Sequence, residues 1–280
     1  MARNRVIYQS EALFMNSSAA LSGSYNQIER VQSANYSYTI NRQDINQYGQ
    51  LGKLDSIIID APTVSADLTY YLTDGFTERA LGFFVSNSGA PLSGSFVSGQ
   101  IAGGSGRNLI ILTTPEGTDA DLPTGDSTGV INSYIGIGNC YLSDYSLDLS
   151  VGAIPTVSVS FEALNINSDV TAFPVSSPAI NPINGTKIVG NQAIPVAVTG
   201  YTGADGGNQI SALRPGDISI NIGSFSGSGV ANIGNQDGSA DSDSAHIQSA
   251  SLSIPLSRSP LERLGSNNAY ARSIDFPVVS

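Results

Sequence analysis

Apolar and polar residues alternate with a period of two along several stretches of this chain. Tyr36, Tyr38 and Ile40 alternate with Ser37 and Thr39, and Val64, Ala66, Leu68 and Tyr70 with Ser65, Asp67 and Thr69. Tyr145, Leu147, Leu149 and Val151 alternate with Ser146, Asp148 and Ser150, and Val157, Val159, Phe161 and Ala163 with Ser158, Ser160 and Glu162. Neighbouring side chains of a strand point to opposite faces, so each stretch predicts a strand buried on one face and polar on the other. Gly152-Ala153-Ile154-Pro155 separates the last two and predicts a hairpin over 145–163. Three further apolar faces follow: Ile218, Ile220 and Ile222; Ala250, Leu252, Ile254 and Leu256; and Ile274, Phe276 and Val278. Pro255 falls on a polar face, where the missing N–H suits an edge strand.

Helical patterns are few and short. Ser259-Pro260-Leu261-Glu262 joins a cap residue, a proline at the first helical position and a glutamate three residues after the cap, with Gly265 as the stop. Asp74 to Gly82 is a weaker version, with Asp74 as cap. Strand, polar break and short helix over 64–82 are thus echoed over 250–265, with Glu78-Arg79 matched by Glu262-Arg263. A larger echo sets Ile28-Glu29-Arg30-Val31 through Ile40 against Ile210-Ser211-Ala212-Leu213 through Ile222. Repetition of this kind predicts two related β-rich units.

Pro174, Pro178 and Pro182 among Ser, Thr and Asn mark a linker. The predicted organisation is a first unit over 1–168, a linker over 169–184 and a shorter second unit over 185–280. Residues 86–130, rich in Gly and Ser, read as a long arm or loop with an acidic tip at Glu116, Asp119, Asp121 and Asp126. Asp237, Asp241 and Asp243 form a shorter acidic counterpart in the second unit.

Charge narrows the function classes. Only 12% of the residues are charged and the net charge is −11, so the average surface repels phosphate. A sequence-reading nucleic-acid binder shows basic clusters, and this chain has none. Acidity serves solubility in many proteins; it also suits a surface that must lie near DNA without sticking to it. The N-terminus has arginines without an apolar run behind them, unlike a secretory signal. Apolar stretches such as Leu109 to Leu112 are far too short to span a bilayer.

A search for chemistry finds no catalytic signature. The single histidine, His246, precedes an alternating strand, and no Gly-X-Ser-X-Gly elbow accompanies it. The single cysteine, Cys140, excludes an internal disulfide and any multi-cysteine metal site; at a strand start it reads as a buried, inert thiol. Gly136-Ile137-Gly138 lacks the rest of a dinucleotide fingerprint, and Gly103-Gly104-Ser105-Gly106-Arg107 lacks the Lys-Ser/Thr of a phosphate loop. Both read as flexible turns. The acidic loops do not fit EF-hand spacing. No cofactor, no metal and no enzymatic activity are expected.

Several segments together resemble the tail tube (major tail) proteins of long-tailed bacteriophages. They are Arg3-Asn4-Arg5-Val6-Ile7-Tyr8-Gln9-Ser10-Glu11-Ala12-Leu13-Phe14, Ile40-Asn41-Arg42-Gln43-Asp44-Ile45-Asn46-Gln47-Tyr48-Gly49-Gln50 and Tyr70-Tyr71-Leu72-Thr73-Asp74-Gly75. Two more are Ser150-Val151-Gly152-Ala153-Ile154-Pro155-Thr156-Val157-Ser158-Val159-Ser160-Phe161-Glu162 and the stretch from Ile247 to Pro277, with Leu261-Glu262-Arg263-Leu264-Gly265 at its centre. The resemblance implies an all-β fold, antiparallel sandwich or barrel units with short flanking helices. It implies sheets that join between copies in a ring, and rings stacked into a tube through which genomic DNA passes.

The expected partners are other copies of the chain, other tail proteins and, at repulsive range, genomic DNA; no membrane is implied. The expected location is the virion tail, after synthesis in the host bacterial cytoplasm. Two units per chain suggest three chains per ring; a hexamer of chains with one tube domain and one outer domain is the other closure. Sheet edges and the 86–130 arm would drive assembly, and acidic loops or polar strand faces would line the conduit. In the family pattern a closing strand follows Ile274-Asp275-Phe276-Pro277-Val278. Here the sequence stops at Ser280, which reads either as truncation, the simpler option, or as a second unit completed by a neighbouring chain. A capsid decoration or adhesin-type β module is the alternative from another class.

Overall fold

The alternating stretches fold as strands. The computed structural model describes residues 11–17, 25–73, 75–85, 96, 106–114, 133–170, 175–176, 178–181, 186, 191–192, 212–215, 218, 248–265, 269 and 271–274. In chain order they form β1 (Glu11–Ser17), β2 (Asn26–Gln27), β3 (Val31–Thr39), β4 (Arg42–Ile45), β5 (Asp55–Ile58), β6 (Thr63–Tyr71) and the short helix α1 (Phe76–Leu81). Then come β7 (Arg107–Thr113), β8 (Ser133–Ser150), β9 (Thr156–Ala163), β10 (Asn165–Val170), β11 (Val175–Ser176) and β12 (Asn191–Gln192). The last are β13 (Ser249–Pro255), β14 (Arg258–Leu261) and β15 (Ala271–Ile274). The fold is all-β, and its strand pairs are antiparallel.

One long hairpin organises the main sheet. The 18-residue β8 pairs with β9 along its C-terminal half and with β10 along its N-terminal half. The predicted turn at Gly152-Ala153-Ile154-Pro155 lies between its arms, with Gly152 at φ +87°. On its other side β8 pairs with β7 and, further along, with β13. Two sheets therefore diverge from one strand, ordered β2-β1-β7-β8-β10 and β13-β8-β9-β6-β3. The change of direction coincides with Asn139, whose φ of 56° is left-handed, and with register shifts in both flanking ladders. Such irregularities bend and twist a strand locally.

The core lies between these sheets. Leu13, Met15, Leu109, Ile111 and Ile137 of the first meet Val64, Leu68, Val159 and Phe161 of the second. Ala80, Leu81 and Phe83, in and just after α1, join the same cluster. Each large apolar side chain so buried contributes about 1.5–3 kcal/mol relative to exposure. Helix α1 ends at Gly82 as the sequence predicts, with φ at +101°. Its N-cap is Gly75, without a side-chain cap bond; Asp74 lies outside the described residues. The Glu78 carboxylate is buried and accepts hydrogen bonds at Oε1 from the hydroxyls of Tyr70 (2.8 Å) and Tyr145 (3.5 Å).

Several expectations are corrected. Residues 86–130 are not one continuous arm, because Arg107–Thr113 is a strand between β1 and β8. Ile110 and Leu112 join Phe14 and Tyr134 in a second buried cluster, so this strand is covered on both faces and has no alternation to betray it. Ser259 to Gly265 is not a helix: Arg258–Leu261 pairs with Ala271–Ile274, and Gly265 at φ +87° sits in the intervening turn. A single helical turn gains little from its cap, and pairing with a second strand satisfies more backbone groups. Cys140 is buried as expected but lies in mid-strand; burial pushes its thiol up to about 12.

Gly136 and Gly138 are strand residues, not flexible turns, because another segment crosses them. A Cβ on Gly136 would come 2.9 Å from the Pro178 side chain, and one on Gly138 would collide with the Pro178 carbonyl. The crossing is fixed at both ends. Asn165 Nδ2 donates to the Pro178 carbonyl at 2.8 Å, and the Ile180 N–H donates to Asn139 Oδ1 at 2.8 Å. Gly106 in turn lies hard against the Asn139 backbone. The stretch expected to be a linker thus includes the end of β10 as well as buried Ala179 and Ile180.

Candidate assembly and conduit surfaces

The structure brings together a face that no single stretch of sequence reveals. In the second sheet, Asp144, Ser146 and Asp148 of β8 pair with Ser160, Ser158 and Thr156 of β9. Ser160 and Ser158 pair onward with Asp67 and Thr69 of β6, and these with Asn35 and Ser33 of β3. On the other flank Pro255, Ser253 and Ser251 of β13 stand beside Asp144, Ser146 and Asp148. Glu162 extends the face, between Tyr141 and Ser65.

This side of the sheet is hydroxyl-rich across its width and carries acids on its three central strands, β6, β8 and β9. None of β3, β6, β8, β9 and β13 contains a lysine or arginine. Strands lie about 4.8 Å apart, so Asp144 and Asp67, two strands apart in one row, are separated by about 10 Å. That is close to the screening length of physiological salt, so their fields overlap. Ser33 and Thr69, and Ser37 and Ser65, share hydrogen bonds of 2.7 Å, which fixes the hydroxyls as a ladder. Arg258 reaches the Tyr141 ring, 5.4 Å from its centroid, at the end of the face where Glu162 stands.

A second surface projects from the same sheet. Beyond Thr39 and Thr63 the β3–β6 ladder continues into β4 and β5, through an Ile59 N–H to Asn41 carbonyl bond of 3.2 Å. Ile45, Tyr48, Leu51, Leu54, Ile57, Ile58 and Ile59 are all exposed on this projection. Among the described residues its ladder has two strands, and such a hairpin is marginal in water on its own. Two local devices hold it. Gly49, at φ +90°, takes the turn position that requires a left-handed residue, and the Lys53 ammonium meets Asp44 at 3.2 Å. The Ser56 hydrogen bond and Lys53 together hold the Asp44 carboxyl below its usual range.

The acids singled out from the sequence are not among the described residues: Glu116, Asp119, Asp121, Asp126, Asp237, Asp241 and Asp243 lie outside them, as does His246. The described face carries Asp67, Asp144, Asp148 and Glu162. Three of them stand in the alternating stretches as their polar members, which was the available signal; which strands adjoin them was not. Among the described residues no cluster of His, Cys, Asp and Glu could hold a metal ion, and no helix is long and apolar enough to cross a membrane.

No protein-family model and no curated protein matches the chain. Solved structures similar to it are tail tube, sheath-tube and tail cap proteins. One is the sheath-tube complex of the extracellular contractile injection system PVC, in its extended state: 9% identity, TM-score 0.38, covering 61% of this chain and 95% of that one. Another is the SPP1 tail tube: 11% identity, TM-score 0.35, covering 60% and 81%. A third is the tube-terminating cap of the anti-feeding prophage: 12% identity, TM-score 0.34, covering 61% and 95%. At such values the chain's function must be sought in its own surfaces.

Proposed function

We propose that this chain is a non-enzymatic structural protein whose copies assemble into stacked rings, forming a phage-type tail tube that conducts DNA. The observation that carries this reading is the projecting β4–β5 hairpin. It exposes Ile45, Tyr48, Leu51, Leu54, Ile57, Ile58 and Ile59 on one two-stranded projection, and such a concentration of exposed apolar side chains marks an interaction site. A hairpin held out from its sheet in this way finds its stability against other copies.

The acidic sheet face supplies the conduit. Ring formation that turns this face inward surrounds the passage with carboxylates and hydroxyls, and DNA phosphates are repelled from every side. Nothing on the five strands offers a phosphate a lysine or arginine to bind. Two related units per chain would give rings of three chains, and six chains per ring is the other closure; both place the protein in the virion tail.

The two surfaces are separable by mutation. In Asp67→Lys with Asp148→Lys, assembly persists while DNA delivery by particles carrying the variant falls. Normal delivery would refute the conduit role of this face. In Tyr48→Ser with Leu51→Ser, assembly itself is lost. Tubes formed as readily as by the parent protein would refute the hairpin's role.

A further inference from the structure

β8 serves two sheets, and its bend is held by side-chain amides as well as by packing. Asn139, at the bend, is buried and left-handed, a conformation few residues other than glycine adopt. Its N–H donates to Asn108 Oδ1 of β7 at 3.3 Å, and its own Oδ1 accepts from the Ile180 N–H at 2.8 Å. Both partners are backbone donors, so the oxygen of each amide is the end that faces them. Gly106 presses on the bend from β7, where a Cβ would come 2.9 Å from the Asn139 carbonyl carbon. From the other flank the Leu164 N–H donates to the Gly138 carbonyl at 3.2 Å.

Ile180 belongs to a strap, residues 178–181, that lies in the chain between β11 and β12 and crosses β8 at Gly136 and Gly138. We infer that Asn139 is a latch between this strap and the angle of the two sheets. While its side chain holds the strap, β8 stays bent and the sheets keep one angle. When the strap leaves, the bend loosens and the second sheet tilts against the first. Glycine would take the bend with less strain. Asparagine adds what glycine lacks, an acceptor for the strap.

The acidic face lies on the second sheet, and the register shift between Leu142 and Asp144 falls at its first β8–β9 row. The chain reaches β13 only by way of the strap. A displacement of the strap therefore passes to the acidic face through one hydrogen bond and one bent residue. Asn139 is thus a positioning residue for that face. The latch belongs to a single chain and stands whether or not copies assemble.

Asn139→Gly tests the latch, because glycine keeps the left-handed backbone and only the acceptor is lost. Spin labels on Glu11→Cys and Asp148→Cys, both exposed and each far along its sheet from the bend, report the angle as a distance. The buried Cys140 thiol stays unlabelled, and dilution with unlabelled chain isolates the distance within one copy. The parent gives one narrow distance distribution, and Asn139→Gly broadens or shifts it; an unchanged distribution would overturn the latch. Ile180→Pro removes the donor from the other side. Adding Asn139→Gly to Ile180→Pro then changes nothing further, and a further broadening would overturn the latch. Hydrogen exchange on the unsubstituted protein reads the same coupling should a variant fail to fold. The Ile180 and Asn139 amides exchange with a common protection factor; an Ile180 amide that exchanges freely while Asn139 stays protected would overturn the latch.

Discussion

At the scale of residues, the interior turns on a few polar groups held among apolar ones. Glu78 is buried with its Oε1 on the hydroxyls of Tyr70 and Tyr145. Removing one donor leaves the carboxylate short of a partner, so Tyr70→Phe should cost about 1–3 kcal/mol in urea unfolding. The same cluster predicts alkaline lability. Burial and the neighbouring Glu78 charge raise the Tyr70 and Tyr145 hydroxyls above their ordinary value of 10, and burial raises the Cys140 thiol from 9.0 to about 12. Folding therefore holds protons that the unfolded chain releases; this stability is full below the ordinary values and is lost as pH rises through the raised ones. Unfolding free energy should be flat at neutral pH and fall above about pH 9–10, and Tyr70→Phe should flatten the fall. At the strap crossing, Gly138→Ala drives a methyl into the Pro178 carbonyl and should lower stability by about 1–3 kcal/mol. An unchanged melting temperature would show that the strap gives way freely.

At the scale of elements, what was legible depended on whether the deciding interaction was local. Val64 to Tyr70 and the 145–163 hairpin follow from alternation because each has one covered face. Tyr36 and Tyr38 were equally legible as a strand but not as an edge: periodicity says which side chains share a face, not whether anything lies over it. Leu109 to Leu112 escaped because a strand buried on both faces shows no alternation. Ser259 to Gly265 misled because a capping signature is local, while its competitor is a strand ten residues further on. The echo between 64–82 and 250–265 thus extends to the strands and not to the helix. The acidic face needed the register of five strands, which no sequence period encodes. The hairpin predicts a separation of fold from association. Tyr48→Ser with Leu51→Ser alters two exposed side chains, so folding stability should stay within about 0.5 kcal/mol of the parent. Association, followed by sedimentation, should be abolished; a parallel loss of folding stability would mean that the hairpin serves the monomer.

At the scale of the whole molecule, charge and shape pull in opposite directions. Copies with a net charge of −11 repel one another, and a ring that gathers Asp67, Asp144 and Asp148 around one axis adds to that repulsion. The apolar hairpin must overcome it. Salt weakens the opposing term alone, so assembly should begin at lower protein concentration as ionic strength rises. Asp67→Asn with Asp144→Asn and Asp148→Asn should bring the same gain at low salt, and an unaltered threshold would place these acids away from the ring axis. The measurement that reaches the central claim most directly is negative-stain electron microscopy of the purified protein across a concentration series. The surfaces described here predict stacked rings or hollow tubes above a threshold concentration, with a ring symmetry that separates three chains from six. Uniform small particles at every concentration would contradict them.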